Sequence, residues 1–128
     1  MIYLDTSVAL AHLLGEDHGP PDTMWDDILV SSRLLEYEVW ARINARGLSR
    51  SHASIVRSLL DRIAFAELST TVLARALEPF AVPVRTLDAL HLATADFLRT
   101  QGQQVRIATY DRHMQDAAAH LGIGLFEA

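Results

Sequence analysis

Four acidic residues carry the chemistry this sequence has to offer: Asp5, Glu38, Asp88 and Asp111. Asp5 directly follows the apolar run Met1–Leu4, and Asp111 follows Val105–Ala108 with only Thr109 and Tyr110 between. If those runs are strands, both acids stand at their carboxyl ends, where open α/β sheets bind ligands. Each also stands at the start of a helix, so capping is the competing reading for either residue taken alone. On a helical wheel of 33–46, Leu34, Tyr37, Ala41 and Ala45 form one apolar arc and Leu35, Val39 and Ile43 a second. Glu38 projects between the two arcs, while Glu36 lies near the polar edge. A carboxylate in an apolar sector is costly unless paired or bound to a cation, so a buried Arg partner competes with a metal. Asp88 opens the apolar stretch TLDALHLATADFL, where a first-turn acid also complements the helix dipole. Asp96, further along, reads as a structural or solvated acid.

Two carboxylates about 5 Å apart repel by roughly 3 kcal/mol at an effective dielectric of 20. A site that gathers several therefore calls for a hard divalent cation. Mg²⁺ and Mn²⁺ prefer oxygen ligands and retain waters, and such ions activate water and stabilise charge on a phosphoryl group being cleaved. Other chemistries lack their parts. There is no cysteine, which removes thiol nucleophiles and Cys-type zinc sites. The six histidines, His12, His18, His52, His91, His113 and His120, form no HExxH; His91, three residues after Asp88, reads as a packed or partnered side chain. No GxxxxGK[ST], GxGxxG or GxSxG occurs. A phosphoryl-accepting receiver domain also gathers aspartates at strand ends, but it needs a lysine, and this chain has none.

The net charge of −5 argues mildly against nucleic acid. All 11 basic residues are arginine, which makes bidentate phosphate contacts and stacks on bases; a local Arg patch can still hold RNA, although a composition bias explains the same count. Trp25 and Trp40 read as packing or interface residues. The start MIYLDTS has neither a basic n-region nor a long apolar core, and no apolar run approaches the roughly 20 residues of a membrane helix. A cytoplasmic protein is expected.

The acids need a scaffold, and the pattern supplies one. Strands are expected at Met1–Leu4, Ile28–Ser31, Phe65–Leu68, Val105–Ala108 and Ile123–Phe126. Helices are expected at Val8–Leu14, Arg33–Arg46, from a Ser49 cap to about Ile63, from Ser69-Thr70 toward Phe80, at Leu87–Thr100 and at Asp111–Leu121, with a short helix over Asp22–Asp27. Alternation of this kind predicts an α/β fold, a parallel sheet with helices on both faces, and residues 1–128 read as a single domain.

Taken together, Ile2-Tyr3-Leu4-Asp5-Thr6-Ser7, Val30-Ser31-Ser32 through Glu38, the stretch from Arg85 to Ala95 containing Asp88, and Ala108-Thr109-Tyr110-Asp111 resemble the PIN-domain nucleases, and within them the VapC-type toxins of toxin–antitoxin pairs. The Ala117-Ala118 and Gly122 pattern fits the same ending. The resemblance implies a three-layer α/β/α sandwich and a Mg²⁺ or Mn²⁺ pocket for RNA cleavage. Asp5 and Asp88 would be the surest metal ligands, and Glu38 and Asp111 would complete the site or orient water. Thr6 and Thr109 would hold carboxylates from behind; Glu36 and Asp116 are nearby acids that an alignment could confuse with Glu38 and Asp111. It further implies a homodimer and a small antitoxin whose tail enters the acidic groove. The rival is a PIN-like domain that binds a partner without catalysis, its acids serving as caps and salt bridges.

Overall fold

The computed structural model describes residues 1–15 and 19–128; His18, one of the histidines set aside above, lies outside them. Five short strands, β1 (Ile2–Leu4), β2 (Leu29–Ser32), β3 (Ile63–Ala66), β4 (Arg106–Ala108) and β5 (Gly124–Leu125), form one sheet in the order β3-β2-β1-β4-β5. All pairings are parallel, with Tyr3 opposite Val30 on one side and Ile107 on the other. The two-residue period of a strand then sorts the core. Ile2, Leu4, Leu29 and Ala108 face one layer, built on α1 (Thr6–Leu13), α2 (Arg33–Ala45) and α3 (Ser49–Leu60). Tyr3, Val30 and Ile107 face the other, where α5 (Thr86–Thr100) and α6 (Arg112–His120) bury Leu92, Ala95, Met114 and Ala117. The short helix α4 (Thr70–Ala76) packs on α5. This is the three-layer α/β/α arrangement.

Chain order makes the site. From β1 the sheet grows outward through β2 and β3, and then β4 returns to the opposite side of β1. The carboxyl ends of β1 and β4 thus flank the point where strand order reverses, the crevice that open α/β sheets use for ligands.

Several boundaries differ from the sequence expectation, each for a local reason. Ser49 is the first helical residue of α3; Leu48 takes the N-cap position and no side chain caps it. The third strand is Ile63–Ala66, two residues earlier than Phe65–Leu68, because pairing of Leu29 with Ile63 and Ser32 with Ala66 sets its register. Helix α4 stops at Ala76, and Leu77 beyond it is exposed, so no apolar face is left to carry the helix toward Phe80. On α2 the arc of Tyr37, Ala41 and Ala45 is exposed; Leu35, Val39 and Ile43 are its buried face. Ser32 and Ser69 do cap their helices, accepting from the N–H of Leu34 and of Val72. Gly47, at φ +68°, ends α2 in the left-handed conformation that a side chain disfavours.

The arginines have structural duties. Arg33, Arg57, Arg62, Arg75 and Arg106 lie over the rings of Phe65, Trp40, Trp25, Phe80 and Phe126, a favourable cation–π placement. These five are therefore spent on the fold rather than on a free basic patch.

Candidate active site

Asp5 sits at the end of β1, and its N–H donates to the Ala108 carbonyl at 3.0 Å, extending the β1–β4 ladder. It occupies the N-cap position of α1, yet its side chain makes no capping bond. The carboxylate is held instead by two hydroxyls. Ser7 Oγ donates to Oδ2 at 2.6 Å and Thr109 Oγ1 donates to the same oxygen at 2.7 Å. Each hydroxyl is itself fixed by a backbone donor, Ser7 by the Tyr110 N–H at 3.1 Å and Thr109 by the Asp111 N–H at 3.0 Å. Asp5 is buried. Its other oxygen, Oδ1, meets no protein donor among the described residues.

Glu38 repeats the pattern from α2. Thr6 Oγ1 donates to its Oε1 at 2.9 Å, and His91 Nε2 stands 2.6 Å from that same oxygen. Oε2 meets no protein donor among the described residues. His91, buried on α5, has its Nδ1 2.7 Å from the Tyr3 hydroxyl, which accepts from the Ser32 N–H at 3.2 Å. Burial pushes the Tyr3 phenol well above its ordinary value, so it remains a neutral hydroxyl. Glu38 thus has a histidine partner where a buried Arg was the alternative.

Asp111 does cap its helix: Oδ1 accepts from the N–H of His113 at 2.9 Å and of Met114 at 3.3 Å. Its Oδ2 lies 3.8 Å from Arg85 Nη2. Asp88, in the first turn of α5, has its carboxyl pushed above the ordinary aspartate value. Burial is the largest cause, followed by the charges of Asp5 and Asp111, with Arg85 and His91 opposing. Asp88 therefore feels the field of two other members of the quartet.

A cavity of about 360 Å³ has all four acids on its wall, together with Thr6, Ser7, Arg42 and Arg85. The other acids are elsewhere. Asp96 is buried between Arg75 Nε at 3.1 Å and Arg99 Nη2 at 2.7 Å, and Glu36 pairs with Arg33 at 3.6 Å; neither Glu36 nor Asp116 lines the cavity. A second cavity, lined by His12, Trp25, Ile55 and Leu59, has no acid on its wall among the described residues. Sequence reasoning missed Ser7, Tyr3, Arg42 and Arg85 as parts of the site and gave His91 no role in it. Ser7 was findable as a hydroxyl two residues after Asp5; Tyr3 and His91 meet across 88 positions of sequence, and nothing local announces that.

The donor set suits a hard cation: four carboxylates, no sulfur, and one oxygen on each of Asp5 and Glu38 that meets no protein donor among the described residues. As the side chains stand, no three His, Asp or Glu among the described residues are gathered tightly enough to enclose an ion. An ion that keeps several waters needs only one or two direct carboxylates, so the donors fit that mode rather than an all-protein cage.

The PIN domain family model matches residues 2–120. The chain belongs to the PIN-domain family. Its relatives are VapC-type members: it is 30% identical over 130 aligned positions to Ribonuclease VapC35 of Mycobacterium tuberculosis, covering 98% of this chain and 95% of that protein. It is 39% identical over 98 residues to Ribonuclease VapC46 of the same organism, covering 75% of this chain and 71% of the relative. In this PIN domain the quartet Asp5, Glu38, Asp88 and Asp111 lies at the β1/β4 reversal, and hydroxyls or an imidazole hold one oxygen of Asp5 and of Glu38 from behind.

Proposed function

We propose that this chain is a Mg²⁺- or Mn²⁺-dependent ribonuclease, acting as one domain in the cytoplasm, and the toxin of a toxin–antitoxin pair. The observation that carries the reading is the convergence of four acids on one cavity, with one oxygen on each of Asp5 and Glu38 left without a protein donor among the described residues. The relatives named as ribonucleases support it. Asp5 and Asp88 would take the metal most directly, and Glu38 and Asp111 would complete its water shell or orient the attacking water. A bound divalent ion would supply an activated water and charge stabilisation at the phosphorus. The protein's own part is to hold the acids. Ser7 and Thr109 fix the Asp5 plane, Thr6 and His91 fix that of Glu38, and capping bonds fix Asp111. Arg42 and Arg85 line the same cavity, and a guanidinium can pair bidentately with an RNA phosphate beside the reacting one.

The antitoxin reading has its own support. Next to the acids, Leu10, Tyr37, Ala41, Ala45 and Leu87 line a shallow cavity of about 260 Å³, and Tyr37 and Leu87 are exposed. An apolar segment with a basic tail would cover this surface and direct an Arg into the acidic cavity. The family resemblance implies a homodimer, and a homodimer is proposed here too. Among the described residues no helix is long and apolar enough to cross a membrane.

The test is a melting curve and an RNA digest with and without millimolar Mg²⁺ or Mn²⁺. A metal that binds only the folded state raises Tm by mass action, and cleavage should stop with chelator. Neither a shift nor chelator-sensitive cleavage would favour the partner-binding domain without catalysis. Expression should also arrest growth, with relief by a small adjacent reading frame; failure of every such frame to relieve it would count against the toxin assignment.

A further inference from the structure

We propose that His91 is a positioning residue for the nuclease site: its Nε2–H fixes Glu38 through Oε1 so that Oε2 faces the cavity, and the Tyr3 hydroxyl locks the imidazole in the tautomer this requires. The inference rests on the ribonuclease reading and adds to it a relay crossing four elements, β2, β1, α5 and α2. Oε1 of a carboxylate only accepts. The 2.6 Å contact with Nε2 therefore needs the proton on Nε2. In the neutral imidazole the other ring nitrogen, Nδ1, then accepts, and the partner 2.7 Å away is a hydroxyl able to donate. That hydroxyl accepts in turn from the Ser32 N–H, so every member has a donor and an acceptor in a consistent direction: Ser32 N–H to Tyr3, Tyr3 O–H to His91, His91 N–H to Glu38. The Tyr3 and His91 rings meet edge to face at 5.8 Å between centroids, and both are buried. Tyr3 lies on β1 two residues before Asp5 and His91 on α5 three residues after Asp88, so the relay is tied at both ends to backbone that carries other acids of the quartet. Thr6 adds a second donor to the same oxygen, and His91 also lies 3.3 Å from Thr6 Oγ1. Both anchors occupy Oε1, which leaves Oε2 without a protein donor among the described residues. A ligand's supporting partner of this kind is typically worth about 10–100-fold in metal affinity or activity.

The experiment compares wild type with His91→Leu, His91→Gln and Tyr3→Phe by three readouts. These are long-range ¹⁵N spectra of the imidazole, Mn²⁺ affinity by electron paramagnetic resonance without RNA, and kcat and KM on single-stranded RNA. The wild-type ring should be the Nε2–H tautomer. His91→Leu should weaken Mn²⁺ binding about 10–100-fold and lower kcat more than it raises KM. His91→Gln, whose amide nitrogen can replace Nε2 as donor, should recover most of both. Tyr3→Phe keeps the ring packing and should mix the tautomers while weakening Mn²⁺ by a smaller factor. An Nδ1–H tautomer in the wild type, or a folded His91→Leu that binds Mn²⁺ and cleaves like wild type, would overturn the proposal. If His91→Leu does not fold, Tyr3→Phe decides, and an unchanged tautomer with unchanged Mn²⁺ affinity overturns it. A wild type that neither binds Mn²⁺ nor cleaves RNA overturns the ribonuclease reading itself, an outcome distinct from normal function in the His91 variants.

Discussion

Thr109 Oγ1 donates to Asp5 Oδ2 at 2.7 Å while accepting the Asp111 N–H at 3.0 Å, so one hydroxyl ties the acid after the central strand to the acid after its neighbour. Thr109→Val keeps the shape and removes both bonds, leaving Asp5 Oδ2 with the Ser7 hydroxyl alone and the Asp111 N–H without its acceptor. Loss of a buried partner costs about 1–3 kcal/mol. Urea denaturation should show a loss in that range for Thr109→Val, with most of it recovered in Thr109→Ser; equal stability of all three would contradict the link.

Asp88 gives a pH signature. Its folded carboxyl is raised above the ordinary 3.8 by burial and by the charges of Asp5 and Asp111. The folded state therefore holds this proton more tightly than the unfolded chain does. By linkage, the associated stability is fully present below about pH 3.8 and is lost as pH rises through the raised value. In chelator, Asp88→Asn should therefore gain in Tm over wild type as pH climbs from about 4 toward neutrality, and the difference should close in acid. Mg²⁺ should reverse the order at neutral pH. A difference independent of pH would show that Asp88 does not feel its neighbours.

Glu38 and Glu36 should separate cleanly. The amide oxygen of Glu38→Gln can still accept from Thr6 and His91, so the metal-free protein should change by no more than about 1 kcal/mol, while Mn²⁺ binding and cleavage fall severely. Glu36→Gln removes only an exposed pair with Arg33, worth at most about 1 kcal/mol, and should leave cleavage within twofold. Thermal melts with and without metal, beside initial rates, compare the two. A strongly destabilised metal-free Glu38→Gln with normal Mn²⁺ affinity would remove Glu38 from the site.

Asp96 supplies the converse control. It is buried between Arg75 and Arg99 and outside the cavity. Asp96→Asn weakens two charge-assisted bonds, each worth about 1.5–3 kcal/mol, discounted here because Arg99 is partly exposed. Stability measured in urea should drop, while Mn²⁺ affinity of the folded variant stays at the wild-type value. A loss of Mn²⁺ affinity would place Asp96 in the site.

The sequence carried the element order and the positions of the four acids because both follow from local pattern: apolar runs, caps, and acids just beyond strand ends. Boundaries slipped where tertiary contacts decide. Ile63 joins the sheet because Leu29 is its neighbour, and α4 stops where its apolar face runs out. Glu38 was legible as an acid beside a buried face, but the wheel overstated that face, since Tyr37, Ala41 and Ala45 border a cavity instead of entering the core. What holds the acids was only partly legible. Thr6 and Thr109 came from family resemblance, whereas Ser7 aims back at Asp5 only once α1 has turned, and Tyr3 reaches His91 only once β1 lies under α5. Asp5, which reads as a cap, shows why position alone misleads: two hydroxyls satisfy it, and the helix start goes without its side chain.

Whether these carboxylates hold a divalent ion for RNA cleavage is read most directly from the initial rate on an end-labelled single-stranded RNA, for wild type and Asp5→Asn purified side by side, across a Mn²⁺ titration ending in excess chelator. Cleavage should depend on metal and stop in chelator, with Asp5→Asn folded but impaired beyond the roughly 10–100-fold expected for a residue that only supports a ligand. Cleavage that persists in chelator, or an Asp5→Asn rate equal to wild type, would contradict it.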